Sequence, residues 1–186
     1  MMRRSVCLGG LCLAQLLVLG CGNSGGEVSI DELFPENNEL AGWIEDTSVG
    51  FAGVEVYTSS AAAEEQIDGD VEPFEDHSFR VFARQHYVKD ALKVELRLWK
   101  MPDAATAEEL YDDLLVNDAK YSAYSWTDIQ VGEAGRVANR ASLFWWVNAR
   151  KGLHYTEATI NQPQPDDQAS RQEAINFVTA LLQDIP

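Results

Sequence analysis

Cysteine is scarce and confined to the start of the chain. The three cysteines are Cys7, Cys12 and Cys21, so residues 22–186 contain none. A domain built from residues 29–186 therefore has no disulfide, no cysteine nucleophile and no cysteine metal ligand. Chemistry that depends on a thiol is excluded from the folded part of the protein.

Positive charge is also scarce. The chain has 14 Lys and Arg residues against 30 Asp and Glu residues, and its formal net charge is −16. Loss of Arg3 and Arg4 with a leader takes this charge to −18. Such a domain repels nucleic acid and bare anionic lipid, so nucleic-acid binding is excluded as a function. We interpret the charge as a source of solubility at a crowded surface.

Motifs for catalysis, metal binding and cofactor binding are missing as well. His77, His86 and His154 show no HxH or HExxH spacing. The chain has neither a P-loop nor a Gly-x-Ser-x-Gly turn. We therefore predict no metal, no cofactor and no catalytic residue.

Two groups of carboxylates remain to be explained. The acidic stretch 68–76 is either a loose surface calcium site or a solvated turn, and Pro73 and Phe79 stand where an EF-hand needs Gly and Glu. The second group lies on the polar side of a predicted helix. Its members could serve a glycosidase-like hydrolase or simply face solvent: Glu108, Glu109, Asp112 and Asp113.

The chain has one long apolar run, at its start. Arg3 and Arg4 precede residues 6–19, which have signal-peptide length and are too short to span a bilayer comfortably. The run ends in Val-Leu-Gly-Cys, which resembles the bacterial lipobox, although Leu19 is bulkier than usual there. This resemblance implies cleavage after residue 20 and acylation of Cys21. An ordinary signal peptide and an uncleaved apolar anchor are the alternatives.

A Gly/Ser-rich tether follows Cys21. Fully extended, residues 22–28 reach about 25 Å, so the domain stays close to the lipid surface. Two or more acyl chains hold a protein on a membrane, whereas one binds only marginally. Because Gly22 rather than Asp follows the cysteine, similarity to proteobacterial sorting signals implies the outer membrane of a diderm bacterium. We predict a lipid-anchored protein of the cell envelope with a signal peptide (1–20), a tether (21–28) and one domain (29–186).

Hydrophobic periodicity predicts an α+β domain with a mostly antiparallel sheet packed with helices. The clearest pattern is a hairpin of strands 79–88 and 92–101. With Lys89 and Asp90 as its turn, positions whose numbers sum to 179 lie opposite each other. Segments 141–149 and 153–161 predict a second hairpin. The remaining predictions are strands at 54–57, 126–131 and 136–139, and helices at 61–67, after Asp103, and from Asp166 or Asp167 to Gln183.

The first predicted hairpin has one apolar and one charged face. It carries six of the 12 Lys and Arg residues that remain without the leader, a local reversal of sign. We interpret the charged face as a docking surface for an anionic envelope ligand or an acidic protein. Alternatively, its charges pair with each other, as Arg84 with Glu95, or lie under an acidic helix. The candidate ligand-binding residues are Arg80, Phe82, Arg84, Arg97 and Trp99.

Residues 143–147 are apolar on both faces of a strand. Phe144 and Trp146 point to one side, and their neighbours point to the other. This pattern is typical of a central strand covered on both sides. The functional alternative is an open aromatic groove, which adds Trp146 to the candidate ligand-binding residues.

Three short motifs carry a resemblance to a known family. They are Leu-Phe-Pro at 33–35, Gly-Trp at 42–43, and Gln-Ile-Asp-Gly at 66–69 before an aromatic-rich strand. They resemble an uncharacterised domain family of bacterial envelope proteins over residues 30–183, although Asp68 and Asp70 replace the Asn and the small residue usual in that family. The order of elements is also similar to the α/β/α sandwich of the photosystem II P-subunit type.

The resemblance implies a fold and a location but no chemistry. We expect a membrane-tethered envelope lipoprotein that acts as a non-catalytic binding or scaffolding module. The alternatives are an envelope hydrolase that uses surface carboxylates and a purely structural lipoprotein.

Overall fold

A twisted antiparallel sheet forms the middle layer of the domain. The computed structural model describes residues 28–50, 52–67 and 71–185. The predicted leader and the tether up to residue 27 lie outside the described residues. The strands are β1 (Ile44–Glu45), β2 (Glu55–Tyr57), β3 (Val81–Lys89), β4 (Leu92–Lys100), β5 (Trp126–Ile129), β6 (Ala134–Arg140), β7 (Phe144–Lys151) and β8 (His154–Asn161).

Every strand pair is antiparallel. The strand order is β1-β3-β4-β8-β7-β6-β5, and β2 pairs with β3 further along the same edge as β1. The pair β4–β8 joins the two hairpins that the sequence predicts, so the centre of the sheet brings together segments far apart in the chain. Residues 144–150 of β7 and 154–160 of β8 therefore have strand neighbours on both sides.

Helices cover both faces of the sheet. They are α1 (Ser60–Ile67), α2 (Glu72–Asp76), α3 (Ala104–Asn117), α4 (Ala119–Ser122) and α5 (Gln168–Gln183), with 3₁₀ turns at Ile30–Leu33 and Thr47–Val49. One face packs against α5 through Phe177 and Leu181, and the other packs against the remaining helices through Phe74, Leu110 and Tyr121. The predicted class, a single α+β domain with a helix-covered antiparallel sheet, is confirmed.

Aspartate side chains fix where the main helices begin. The Asp103 carboxylate accepts a hydrogen bond from the Thr106 amide at 2.8 Å, and Asp167 accepts one from the Ser170 amide at 3.0 Å. These bonds satisfy amides that have no partner within the first helical turn. Both predicted helix starts are confirmed, with Asp167 rather than Asp166 as the cap.

The register predicted for the first hairpin is wrong by two residues. Lys89 lies opposite Leu92, so the turn consists of Asp90 and Ala91. Asp90 adopts a left-handed backbone with φ 54°, which Asp tolerates better than most residues. A shift of two leaves every side chain on its predicted face but changes its partner. Arg84 consequently lies opposite Arg97 rather than Glu95.

The second hairpin is also shorter at its turn than predicted. Lys151 lies opposite His154, which leaves Gly152 and Leu153 as the turn, and Gly152 has φ 53°. Residues 141–143 are not part of β7 but connect it to β6. Ala141 and Ser142 both have positive φ in this connection, at 53° and 58°.

The acidic stretch contains a helix that the sequence did not predict. Residues 68–70 lie outside the described residues, but α2 occupies Glu72–Asp76 with a proline in its first turn. No group of three or more metal-ligating side chains occurs within the described ranges. Among those same residues, no helix combines the length and the apolar character needed to cross a bilayer.

Candidate functional site

An aromatic row runs across the predicted docking face and is buried. Tyr57, Phe82, Trp99 and Tyr155 lie side by side on β2, β3, β4 and β8. Phe82 and Trp99 are both 0 % exposed. Phe74 of α2 stacks on Trp99 with ring centres 4.0 Å apart and ring planes 6° apart. The prediction that Phe82 and Trp99 form an open docking surface is therefore wrong, because α2 covers them.

Trp146 is likewise part of the core. Its ring is 2 % exposed and lies 4.4 Å from the ring of Tyr121 in α4 and 5.2 Å from that of Trp126. An open aromatic groove at Trp146 is excluded by this burial. The covered central strand is confirmed for residues 145–147, which are buried between β6 and β8, whereas Leu143 and Phe144 are exposed.

A second row on the same face is polar. Each of its members lies directly opposite the next on the neighbouring strand. We name it the polar row, and it comprises Glu55, Arg84, Arg97, Glu157, Asn148, Arg136 and Asp128. The row crosses seven strands on the sheet face that α1 to α4 cover. Polar and charged side chains therefore occupy positions where core residues are expected.

Arg84 serves to hold α1 on the sheet. Its Nε lies 2.7 Å from Glu55, and its Nη1 and Nη2 donate to the backbone and side-chain oxygens of Gln66 at 2.7 and 3.1 Å. The residue is buried. Arg80, by contrast, is exposed ahead of β3, with its amide bonded to Lys100. The structure does not bring Arg80 and Arg84 together at one exposed surface.

Three ionisable residues on the same face as the polar row are partly exposed to solvent. Arg97 holds Glu95 through two parallel bonds, Nε to Oε1 at 2.8 Å and Nη2 to Oε2 at 3.0 Å. His86 Nε2 lies 3.9 Å from the same carboxylate. Side-chain exposures are close to one fifth: 21 % for His86 and Glu95 and 18 % for Arg97. We name His86, Glu95 and Arg97 the open cluster.

Electrostatics within the open cluster favour charged Glu95 and neutral His86. Burial alone raises the pKa of Glu95, but the adjacent Arg97 guanidinium outweighs it and leaves that pKa below its usual value. Burial lowers the pKa of His86, against the opposing pull of Glu95. Arg97 Nη1 makes no hydrogen bond to the described residues, so it remains available to a ligand.

Glu157 is the buried counterpart of Glu95. Its Oε1 accepts a hydrogen bond from the Tyr155 hydroxyl at 2.8 Å and a second one from the Tyr121 hydroxyl. Burial raises the pKa of the Glu157 carboxyl despite the nearby Arg97. Burial also raises the pKa values of both tyrosines, so both hydroxyls stay protonated donors. Glu157, Tyr121 and Tyr155 are not predicted as site residues from the sequence, although Tyr155 and Glu157 share one face of a predicted strand.

Of the predicted α3 carboxylates, Asp113 lines a pocket together with Glu72, Asp76 and Asp118. Glu108 is 59 % exposed in its side chain and bonds Arg150 at 2.9 Å, and Glu133 bonds the same guanidinium at 2.7 Å. Asp113 accepts a hydrogen bond from Asn117 one turn later. Glu108 and Asp113 thus each have a polar partner, an arginine of β7 and an asparagine of α3, respectively.

Comparison of the chain with models of protein families, with curated proteins and with solved structures finds no match. The resemblance to an envelope family stays a prediction.

Proposed function

We propose that the protein is a lipid-anchored lipoprotein of the bacterial cell envelope that acts as a non-catalytic binding module. The observation that carries the location is Cys21, which stands at the end of an apolar leader and ahead of a Gly/Ser tether. Acyl chains on Cys21 hold the domain at the membrane, and we expect the outer membrane of a diderm bacterium. The protein needs no cofactor for this role.

The open cluster is the proposed ligand surface. Arg97 is oriented by its two bonds to Glu95, its Nη1 makes no hydrogen bond to the described residues, and its side chain is 18 % exposed. A guanidinium held in one orientation recognises carboxylate or phosphate oxygens well. The expected partner is therefore an anionic envelope ligand or an acidic protein. This proposal replaces the docking surface that the sequence predicts at Phe82, Trp99 and Trp146.

Fractionation tests the anchor. Cys21→Ser is expected to move the protein from the membrane to the soluble fraction, and the intact mass of the wild type should show acyl chains in place of residues 1–20. Cys12→Ser is the matched control, because it removes a thiol of the discarded leader and leaves attachment unchanged. If the Cys21→Ser protein remains in the membrane fraction, the proposed lipid anchor is wrong.

Binding is tested by removing both charges of the open cluster together. The double variant Glu95→Gln, Arg97→Gln avoids a lone buried charge, which would unfold the protein for an unrelated reason. Phosphate, an acidic polysaccharide and vesicles with anionic lipid are the probes. We expect one of them to shift the Arg97 and His86 NMR resonances of the wild type and to leave the His86 resonance of the double variant unchanged. Glu108→Gln on exposed α3 is the control. If none of the probes shifts a resonance of the wild type, a purely structural lipoprotein is supported instead.

A second candidate function is an envelope hydrolase, and Glu95 and Glu157 favour it. They lie on one face of neighbouring strands at diagonal positions. This geometry separates residues by about 7–8 Å, and their Cβ atoms by somewhat less. Their pKa values shift in opposite directions, which suits a general acid and a base. Loss of chromogenic glycoside hydrolysis in the double variant Glu95→Gln, Arg97→Gln, with hydrolysis kept in Glu108→Gln, would support this function over the binding module.

A further inference from the structure

Arg136 and Asn148 are buried polar residues that the protein leaves incompletely bonded. They lie opposite each other on β6 and β7, in the interior of the polar row, and are 1 % and 0 % exposed. Arg136 Nε and Nη2 and both amide atoms of Asn148 make no hydrogen bond within the described residues. A buried donor or acceptor without a partner loses its hydration and gains nothing in return, so such atoms are seldom left alone in a folded protein.

The bonds that Arg136 does make fix its position. Nη1 donates to the Tyr111 carbonyl oxygen of α3 at 2.8 Å. The guanidinium carbon lies 4.0 Å from the Tyr111 ring centre and 5.2 Å from that of Trp126. These aromatic faces hold the cation but supply no negative charge. Nε and Nη2 therefore stay in place with their donors unused.

The unused atoms are mostly donors. Arg136 contributes only N–H groups, and Asn148 adds its amide N–H groups against a single oxygen. Trp146 Nε1, on the same face of β7, is a further buried donor without a partner. Arg136 and Asn148, which are neighbours in the polar row, also make no hydrogen bond to each other. A species that accepts several hydrogen bonds fits such a set of groups.

Charge decides which acceptor fits best. The guanidinium of Arg136 has no carboxylate within salt-bridge distance among the described residues. Asp128, its neighbour on β5, is exposed, and Glu157 lies two strands away beyond Asn148. An isolated buried cation is strongly unfavourable unless a negative charge compensates it. Water would meet the donors but would leave the charge uncompensated.

We infer that Arg136 and Asn148 form an internal binding site for a small monovalent anion of halide size. The anion accepts hydrogen bonds from Arg136 Nε and Nη2 and from Asn148 Nδ2, and it neutralises the guanidinium. Because Arg136 also holds the Tyr111 carbonyl, the bound anion strengthens the attachment of α3 to β6. Anion binding and folding are then linked, since only the folded chain assembles the site.

Chloride tests this site in the full chain purified in detergent. Urea denaturation is compared in sodium chloride and in sodium gluconate at equal ionic strength. We expect the urea midpoint to rise with chloride and then saturate, and the ³⁵Cl NMR line to broaden in a way that bromide reverses. Equal midpoints in the two salts, with no broadening, would show that only water occupies the site and would overturn the inference.

Variants locate the chloride effect. Arg136→Met removes the cation, and Asn148→Asp places a fixed negative charge opposite Arg136 without changing side-chain shape. Both should abolish the chloride dependence. Arg150→Met, on the same sheet face but paired to surface acids, is the control that should keep it. A chloride effect that survives in Asn148→Asp would refute the assignment, and the ³⁵Cl line of the wild type decides the matter if Arg136→Met fails to fold.

Discussion

Removal of the Phe74 ring should strongly destabilise the domain. Phe74 is 1 % exposed, lies flat against Trp99 at 4.0 Å and also contacts Tyr155, with ring centres 5.7 Å apart. Truncation of a buried Phe to Ala costs about 3–5 kcal/mol, of which the stacked pair accounts for about 0.5–1.5 kcal/mol. We expect Phe74→Ala to lower the free energy of unfolding by that amount, a large part of the total for a domain of this size.

The loss in the free energy of unfolding is measured by urea denaturation, with tryptophan fluorescence as the signal. The same variant should shift the emission to the red and admit acrylamide to Trp99, which is 0 % exposed in the wild type. Val116→Ala is the control, because Val116 is 76 % exposed on α3 and its truncation should change stability by less than about 0.5 kcal/mol.

A small effect of Phe74→Ala would contradict the role of α2 as a cover. If the loss were below about 1 kcal/mol, a typical value for an unremarkable substitution, α2 could not be a tight cover over the aromatic row. Trp99 and Phe82 would then be reachable, and the docking surface predicted at the first hairpin would return. A single measurement thus distinguishes an aromatic row covered by α2 from an open docking surface.

Three further predictions concern charge, strain and capping. Hydrogen bonds from Lys93 and Ser48 lower the pKa of Asp46 to about 2 in the folded state, below its usual value of 3.8. The unfolded chain therefore takes up the proton first, and this stabilisation is present above pH 3.8 and lost as the pH falls through about 2. Asp46→Asn should be less stable than the wild type at pH 7 and equal to it near pH 2 in urea denaturation. Ala141→Gly should raise the thermal midpoint, because Ala141 has φ 53° and left-handed backbone costs a non-glycine residue about 1–2 kcal/mol, partly offset by the greater freedom of unfolded Gly. Asp167→Ala should cost about 0.5–2 kcal/mol in urea denaturation through loss of the cap on α5, whereas Asp167→Asn should retain most of it.

Strand faces could be predicted from the sequence because they depend only on alternation. Leu96 and Leu98 lie on the α5 side and Arg97 and Trp99 on the other, as the hairpin pattern indicates. The exact register could not be predicted, because it depends on Asp90 accepting a left-handed conformation in a turn without glycine. An error of two residues preserves each face, so the class of fold survives a wrong register.

The cover over the charged face was harder to predict. α2 has five residues and lies in an acidic stretch, with Phe74 as its buried residue. Such a helix has no amphipathic pattern long enough to detect, and its stability comes from packing rather than from propensity. The many cations of the hairpin suggested exposure. In the structure Arg84 is buried instead, because Glu55, distant in sequence, supplies its counter-charge.

The polar row shows why the site itself lay beyond sequence reasoning. Each of its members is a polar residue at an alternating strand position, which predicts exposure for an isolated hairpin. Their alignment depends on the strand order, since the β4–β8 pairing places Glu157 beside Arg97 although about 60 residues separate them. Once aligned under α1 to α4, these residues must satisfy one another or bind something else. Arg97 and Glu157 find partners, whereas within the described residues Arg136 keeps two unbonded nitrogens and Asn148 two unbonded amide atoms, so the alignment itself generates the proposed anion site.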